Sequence, residues 1–228
     1  MHNTILRKTK LDENSADSLF VPLDIDHDAS LGQLRIKSIF ELMVCSLALV
    51  IIGLWLFPIV AVVIKATSKG PVFFKQLRHG KNNVPFYCYK FRTMVATDEA
   101  DTLQAKKGDH RITKFGGILR KSSVDELPQL FNVMKGEMAL VGPRPHTLPM
   151  NEIFMKEVPG YMNRHVMKQG ITGLAQSKGC RGEIKDYNDL NHRYRLDMFY
   201  IKKWNLAFDL KILLWTTKEV LFNNKKAY

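Results

Sequence analysis

The sequence predicts an α+β chain that is mostly helical, built from a re-entrant membrane helix, a short β-hairpin and amphipathic interfacial helices. Three observations predict it. Residues 42–64 form a run of 23 residues without a charge. Residues 72–92 hold two β-prone runs around a turn-forming centre. Residues 189–221 keep helical spacing while mixing aromatic residues with lysines.

The membrane helix follows from length and flanks. About 20 apolar residues cross the hydrocarbon core of a bilayer, and fully apolar runs past about 18 are rare in soluble domains. Arg35 and Lys37 precede this run, and Lys65, Lys69, Lys75 and Arg78 follow it. The positive-inside rule puts both flanks in the cytoplasm. Pro58 lies inside the run, where its ring removes a backbone donor and clashes with the carbonyl four residues back. A helix broken at Pro58 that enters and leaves through one face satisfies both facts; a bent crossing helix is the alternative left open. Ahead of it, residues 1–34 read as a flexible arm, poor in aromatic residues. Arg7, Lys8 and Lys10 are outnumbered there by six acids, so the arm carries −3 and residues 35–228 carry +15. An acidic arm in front of the apolar run argues against a secretory signal peptide. The predicted organisation is an arm over 1–34, a membrane helix over 35–66 and a folded body over 67–228.

Within the body, 71–77 and 85–92 are the hairpin strands, and 79–83 supply the turn. Residues 94–108 read as helical or loose, and 112–119 as a short segment holding Gly116-Gly117. After Pro128, Leu130, Phe131 and Met134 keep helical spacing until Gly136. Residues 139–145 are a short apolar run closed by a loop whose two prolines fix the backbone on either side of Arg144. Residues 148–169 read as a helix interrupted at Pro159-Gly160, and 170–173 as a turn. The last helical stretch is broken near Asn205; its apolar face suits a membrane interface or a protein core equally.

So basic a body requires an anionic partner, and composition does not choose which. Cys45, Cys88 and Cys180 have neither disulfide nor metal spacing. There is no P-loop, no dinucleotide fingerprint, no H-E-x-x-H and no C-x-x-C, and nothing resembles a nucleic-acid recognition helix or stacking motif. The seven histidines show no ligand spacing and read as incidental.

The stretch Ser122-Ser-Val-Asp-Glu-Leu-Pro-Gln129 carries the chemistry. A helix admits Pro128 only in its first turn, which predicts a helix start near Asp125, with Asp125 at or beside the N-cap and Glu126 in the first turn. Free amides and the helix dipole favour ionised carboxylates there. Such a carboxylate can attack phosphorus or hold a divalent cation. Alone, an Asp-Glu pair at a helix start is usually a cap. Arg120 just before it and Arg144 in its rigid loop add bidentate phosphate binders, which together describe a phosphoryl-transfer site using Mg²⁺.

Six segments in order then resemble one family. They are Pro71-Val-Phe-Phe-Lys-Gln76, Tyr89-Lys-Phe-Arg-Thr-Met94, Leu119-Arg-Lys-Ser-Ser-Val-Asp-Glu-Leu-Pro-Gln129, Leu140-Val-Gly-Pro-Arg-Pro145, Gly170-Ile-Thr-Gly-Leu-Ala-Gln176 and the ending with Tyr200, Trp204 and Asp209-Leu-Lys-Ile212. The chain resembles the bacterial sugar transferases, monotopic polyprenyl-phosphate phosphoglycosyl transferases, over roughly 35–222. The resemblance implies a re-entrant helix broken at Pro58 in the inner leaflet of the bacterial plasma membrane, with a catalytic domain over 67–228 on its cytoplasmic face. It implies that Asp125 attacks the β-phosphorus of a UDP-sugar, releases UMP and holds the sugar phosphate until undecaprenyl phosphate takes it. Glu126, with Asp125, would hold Mg²⁺. Lys90, Arg92, Arg120, Arg144 and Gln129 match phosphate-binding motif positions. Arg181 and Glu183, in the Cys180-Arg181-Gly182-Glu183 run, resemble members that start exopolysaccharide or O-antigen units with a hexose phosphate, and are candidates for the sugar or nucleotide. A direct transfer with both substrates bound together is the mechanistic alternative, and a membrane-anchored basic scaffold without catalysis is the non-enzymatic one. The sugar is not assigned, and a homo-oligomer is neither implied nor excluded. No multi-helix membrane domain precedes the anchor within this sequence, and the arm has no assigned counterpart.

Overall fold

The computed structural model describes residues 31–95 and 108–222. The acidic arm up to residue 30 and most of 94–108 lie outside the described residues. The fold is mostly helical, with one short antiparallel hairpin and one long apolar helix near the N-terminus.

That helix runs as α1 (Leu31–Ala48), a π-helical turn (Leu49–Gly53) and α2 (Leu54–Thr67). Residues 32–67 count 36 and are long and apolar enough to cross a membrane. The π turn sits just ahead of Pro58, which α2 carries without ending. Both halves pack on the same body. Cys45 joins a core with Phe86, Cys88, Leu130 and Val133. Val60 and Ile64 join another with Phe91 and Leu119, and the Phe57 ring meets Phe91 edge-on at 5.0 Å. Ile39, Met43, Leu47, Leu54 and Val62 on the remaining faces are exposed.

The hairpin is β1 (Phe73–His79) and β2 (Pro85–Phe91), in register from Phe73 opposite Phe91 to His79 opposite Pro85. The expected turn is a 3₁₀ turn, Lys81–Asn83, in which Asn82 adopts positive φ. Next comes α3 (Lys114–Ser122), capped by Thr113, whose hydroxyl accepts the Gly116 N–H at 2.9 Å. Gly116 is required there, because a Cβ would lie 2.0 Å from the Thr93 carbonyl oxygen.

The helix expected to start at Asp125 does not. Ser123 ends α3 at φ 58°, a 3₁₀ turn spans Val124–Glu126, and α4 (Gln129–Met134) begins only after Pro128. Left-handed Ser123 reverses the chain, so Asp125 is turned inward rather than left at a helix tip. The two segments read as an apolar run and a turn pair as a parallel sheet: β3 (Ala139–Val141) against β4 (Gly170–Thr172). α5 (Leu148–Glu157) ends before Pro159, Gly160 takes φ 73°, and a 3₁₀ turn follows over Tyr161–Val166. Short α6 (Leu174–Ser177) leads to α7 (Tyr187–Lys203) and α8 (Leu206–Phe222), broken at Trp204 and Asn205. Val141, Met198, Tyr200, Ile201 and Ile212 make the core between them.

Candidate active site

Strand alternation places Lys90 on the same side of β2 as buried Phe86 and Cys88, facing the interior. Its Nζ lies 2.5 Å from Glu126 Oε1. Arg144 reaches the same carboxylate from the loop after β3, with Nη2 2.6 Å from Oε1 and Nη1 3.3 Å from Oε2. Burial pushes the Glu126 carboxyl up, but Arg144 and Lys90 outweigh it and hold it well below the usual carboxylate range. Asp125 is the opposite case. It is 7% exposed, and among the described residues none donates a hydrogen bond to its carboxylate. Burial raises it to about 6; Lys90, Arg120 and Arg144 pull it down, and Glu126 pushes it up. Two adjacent carboxyls therefore differ: one is locked and charged, the other unpaired and raised to about 6.

Both line a cavity of about 810 Å³. Its wall carries six arginines and one lysine, and Asp125 and Glu126 are its carboxylates among the described residues. Arg120 is aimed by Nε to Thr93 Oγ1 at 2.8 Å and by Nη2 to Met94 Sδ at 3.2 Å. Arg181 enters from the loop before α7, its Nη1 3.5 Å from Ser123 Oγ. Arg92 lines the wall too, but its Nη2 donates to the Ser68 carbonyl at 2.8 Å, so it closes the end of α2; its Nε and Nη1 are buried without a partner. Gln129 is buried and lies outside the wall, and Glu183 is outside it as well.

The structure adds residues that spacing did not single out. Arg78, read as part of the basic flank, lines the cavity and donates to the Pro145 carbonyl at 2.6 Å. Arg193 lines it from α7 and donates to the Gly182 and Glu183 carbonyls at 3.1 and 3.2 Å. His146, read as incidental, also lines it. Its Nδ1 lies 2.6 Å from the Tyr161 hydroxyl and 3.2 Å from Arg164 Nη1. Burial and then Arg164 hold its pKa well below the usual range, so the ring is neutral and Nδ1 accepts. Arg164, paired with Asp197, also donates to the Arg144 carbonyl at 2.8 Å, bracing the Arg144 loop. The prolines around Arg144 hint at a fixed loop; its braces, far along the chain, leave no local signal.

A family described as bacterial sugar transferase matches residues 32–223. The chain belongs to the bacterial sugar transferase family. Within that family it is 47% identical over 181 residues to a UDP-glucose:undecaprenyl-phosphate glucose-1-phosphate transferase of Xanthomonas campestris pv. campestris, covering 78% of this chain and 37% of that protein. It is 45% identical over 193 residues to a transferase of the same name from Klebsiella pneumoniae, covering 84% of this chain and 41% of that one. An exopolysaccharide production protein, PSS, of Rhizobium leguminosarum bv. phaseoli is 40% identical over 84% of this chain and 98% of its own length. The chain thus spans about two-fifths of the first two curated relatives and nearly all of the third. All the motif segments of this sugar transferase, from the hairpin to Asp209, fall inside the matched residues.

Proposed function

We propose that the chain transfers a hexose-1-phosphate from a UDP-sugar to undecaprenyl phosphate, releasing UMP, as the first membrane step in building an exopolysaccharide, O-antigen or related glycoconjugate. The observation that carries this reading is the Asp125 carboxylate: buried, unpaired, on the wall of a basic cavity beside a saturated Glu126. The names of the relatives support the donor and the acceptor.

Chemistry follows in two balanced steps. Asp125 attacks the β-phosphorus of the UDP-sugar. The bond from that phosphorus to the oxygen bridging the α-phosphate breaks, and UMP leaves with the oxygen. The sugar phosphate remains on Asp125 as an acyl phosphate. An oxygen of undecaprenyl phosphate then attacks the same phosphorus, the bond to Asp125 breaks, and the carboxylate returns. With its pKa at about 6, Asp125 is ionised at neutral pH. Lys90, Arg120 and Arg144 take up phosphoryl charge, Lys90 and Arg144 from their places against Glu126. Arg181 contacts the sugar or nucleotide. Asp125 and Glu126 would hold Mg²⁺ here: among the described residues none donates a hydrogen bond to the Asp125 carboxylate, which leaves its oxygens open to a cation. When bound, Mg²⁺ would neutralise charge on the pyrophosphate.

The helix over 32–67 supports a re-entrant seat in the inner leaflet of the plasma membrane, with the body on the cytoplasmic side. Lys37, Glu41 and Cys45 near its start and Val60 and Ile64 near its end are buried against one body, which a simple crossing would separate. On α8, exposed Leu210, Leu214 and Phe222 beside exposed Lys211 and Lys218 suit the interface. Labelling single cysteines on either flank in inside-out vesicles tests this; protection of one flank alone would contradict it.

The function is tested by incubating solubilised protein with a panel of UDP-hexoses, Mg²⁺ and undecaprenyl phosphate and measuring UMP. Acceptor-dependent turnover with one hexose, lost in Asp125→Asn, is expected. Absence of UMP with every donor from folded protein would refute the reading.

A further inference from the structure

Asp209, in the last family motif, does not line the cavity, yet it meets the start of the membrane helix in a buried cluster. Lys37 and Glu41, one turn apart on α1, are 6% and 5% exposed and 2.9 Å from each other. Lys37 Nζ is also 2.6 Å from Asp209 Oδ2. Asp209 accepts from Trp204 Nε1 at 3.0 Å and from the Tyr200 hydroxyl at 2.8 Å. Pairing alone would make this a structural clamp. What it clamps is more informative.

Among the described residues, strand β3 pairs with β4 along one edge only. On its other side Glu41 Oε1 accepts the N–H of Leu140 at 2.9 Å and of Val141 at 3.3 Å, and Lys37 Nζ donates to the Val141 carbonyl at 3.0 Å. The i,i+4 pair supplies the acceptor and donor that a third strand would offer. Three residues past Val141 the chain reaches Arg144. Between them, the Gly142 N–H is fixed to the Thr172 carbonyl at 2.9 Å, and the Pro143 carbonyl to the Gly170 N–H at 2.8 Å. A shift of β3 against α1 therefore carries to Arg144 and to Glu126.

We propose that Lys37 and Glu41 are positioning residues for phosphoryl transfer: by completing the edge of β3 they couple the seat of the membrane helix to the grip of Arg144 on Glu126. This rests on the transfer reading above. The groups facing Asp125 are Lys90 of β2, Arg120 of α3, neighbouring Glu126 and Arg144. Of these, only Arg144 hangs from β3, so loosening that strand removes one cation from Asp125 and leaves the others.

The test uses the full chain in lipid nanodiscs. Glu41→Leu is expected to lower kcat about ten- to a hundredfold while KM for the UDP-sugar stays within about twofold. Amides of Leu140 and Val141 should exchange at least about tenfold faster, with hairpin amides unchanged. Glu41→Gln, which keeps an acceptor oxygen, should recover most of kcat. Wild-type kcat in folded Glu41→Leu would overturn the proposal. So would an activity loss matching the unfolded fraction with amide exchange at Leu140 and Val141 unaltered. If Glu41→Leu does not fold, Tyr200→Phe, which removes a donor to the Val141 carbonyl, decides: a smaller fall in kcat at unchanged KM with faster exchange at Leu140 and Val141 supports the coupling, and an unchanged kcat overturns it. Should the wild type release no UMP, the transfer reading fails; amide exchange then judges the coupling alone, and unaltered exchange over 139–146 in either variant overturns it.

Discussion

The seat of the membrane helix and the Asp125-Glu126 pair are both buried clusters of acids and bases, yet they are finished differently. In the seat, Lys37 meets two carboxylates, a carbonyl and a hydroxyl, and Asp209 accepts from Lys37, Trp204 and Tyr200. In the dyad, Glu126 is equally saturated, but Asp125 accepts no hydrogen bond among the described residues. Buried charges are normally paired, and leaving one unpaired carries a desolvation cost. The seat meets that rule because it holds parts together. Asp125 breaks it beside a cavity, which is where an attacking oxygen must keep its lone pairs.

The largest expected difference between the two regions is in activity. Asp125→Asn should lower UMP release by at least about a thousandfold, with no loss of thermal stability at pH 7.5. A folded, active mutant would erase the distinction. Asp209→Asn should act the other way round, leaving Lys37 short of a partner and costing on the order of 3–5 kcal/mol in unfolding experiments. A cost near zero would mean that water reaches the seat. Arg144→Lys keeps the charge and loses the fork on Glu126, so UMP release should drop by about a hundredfold with a smaller change in stability.

Smaller effects follow from pH. Transfer by ionised Asp125 should fall as pH drops through about 6. Stability runs in the opposite direction. The folded value is raised above the ordinary 3.8, so Asp125's contribution is full below 3.8 and is lost as pH rises through about 6. Asp125→Asn should therefore raise Tm by a few degrees at pH 7.5 and by less at pH 4.5. Glu126, depressed by Arg144 and Lys90 against its burial, contributes stability above its ordinary 4.5 that is lost only at much lower pH. A Tm gain independent of pH would contradict this split.

Local signals were legible. Pro159-Gly160, the 79–83 turn and the break near Asn205 each force the backbone within a few residues, and the structure has its interruptions there. Lys90, Arg120, Asp125, Glu126, Arg144 and Arg181 converge on one cavity from four separate stretches of the chain. What the sequence did not reveal depends on distant contacts. Strands of three residues have too short a period to announce β3 and β4. Pro128 tolerates a 3₁₀ turn before it as well as a helix around it, so the helix start was read four residues early. Lys37 counted as a flanking charge but is buried against Asp209, more than 170 positions away; nothing near Lys37 in sequence marks its partner.

The most direct test of the central claim is mass analysis of the protein mixed with a UDP-hexose and Mg²⁺ in the absence of undecaprenyl phosphate. The account predicts UMP equal to enzyme and a hexose phosphate on the peptide holding Asp125, discharged when the lipid acceptor is added. UMP formed only when the acceptor is present, with no adduct on Asp125, would contradict it and establish direct transfer instead.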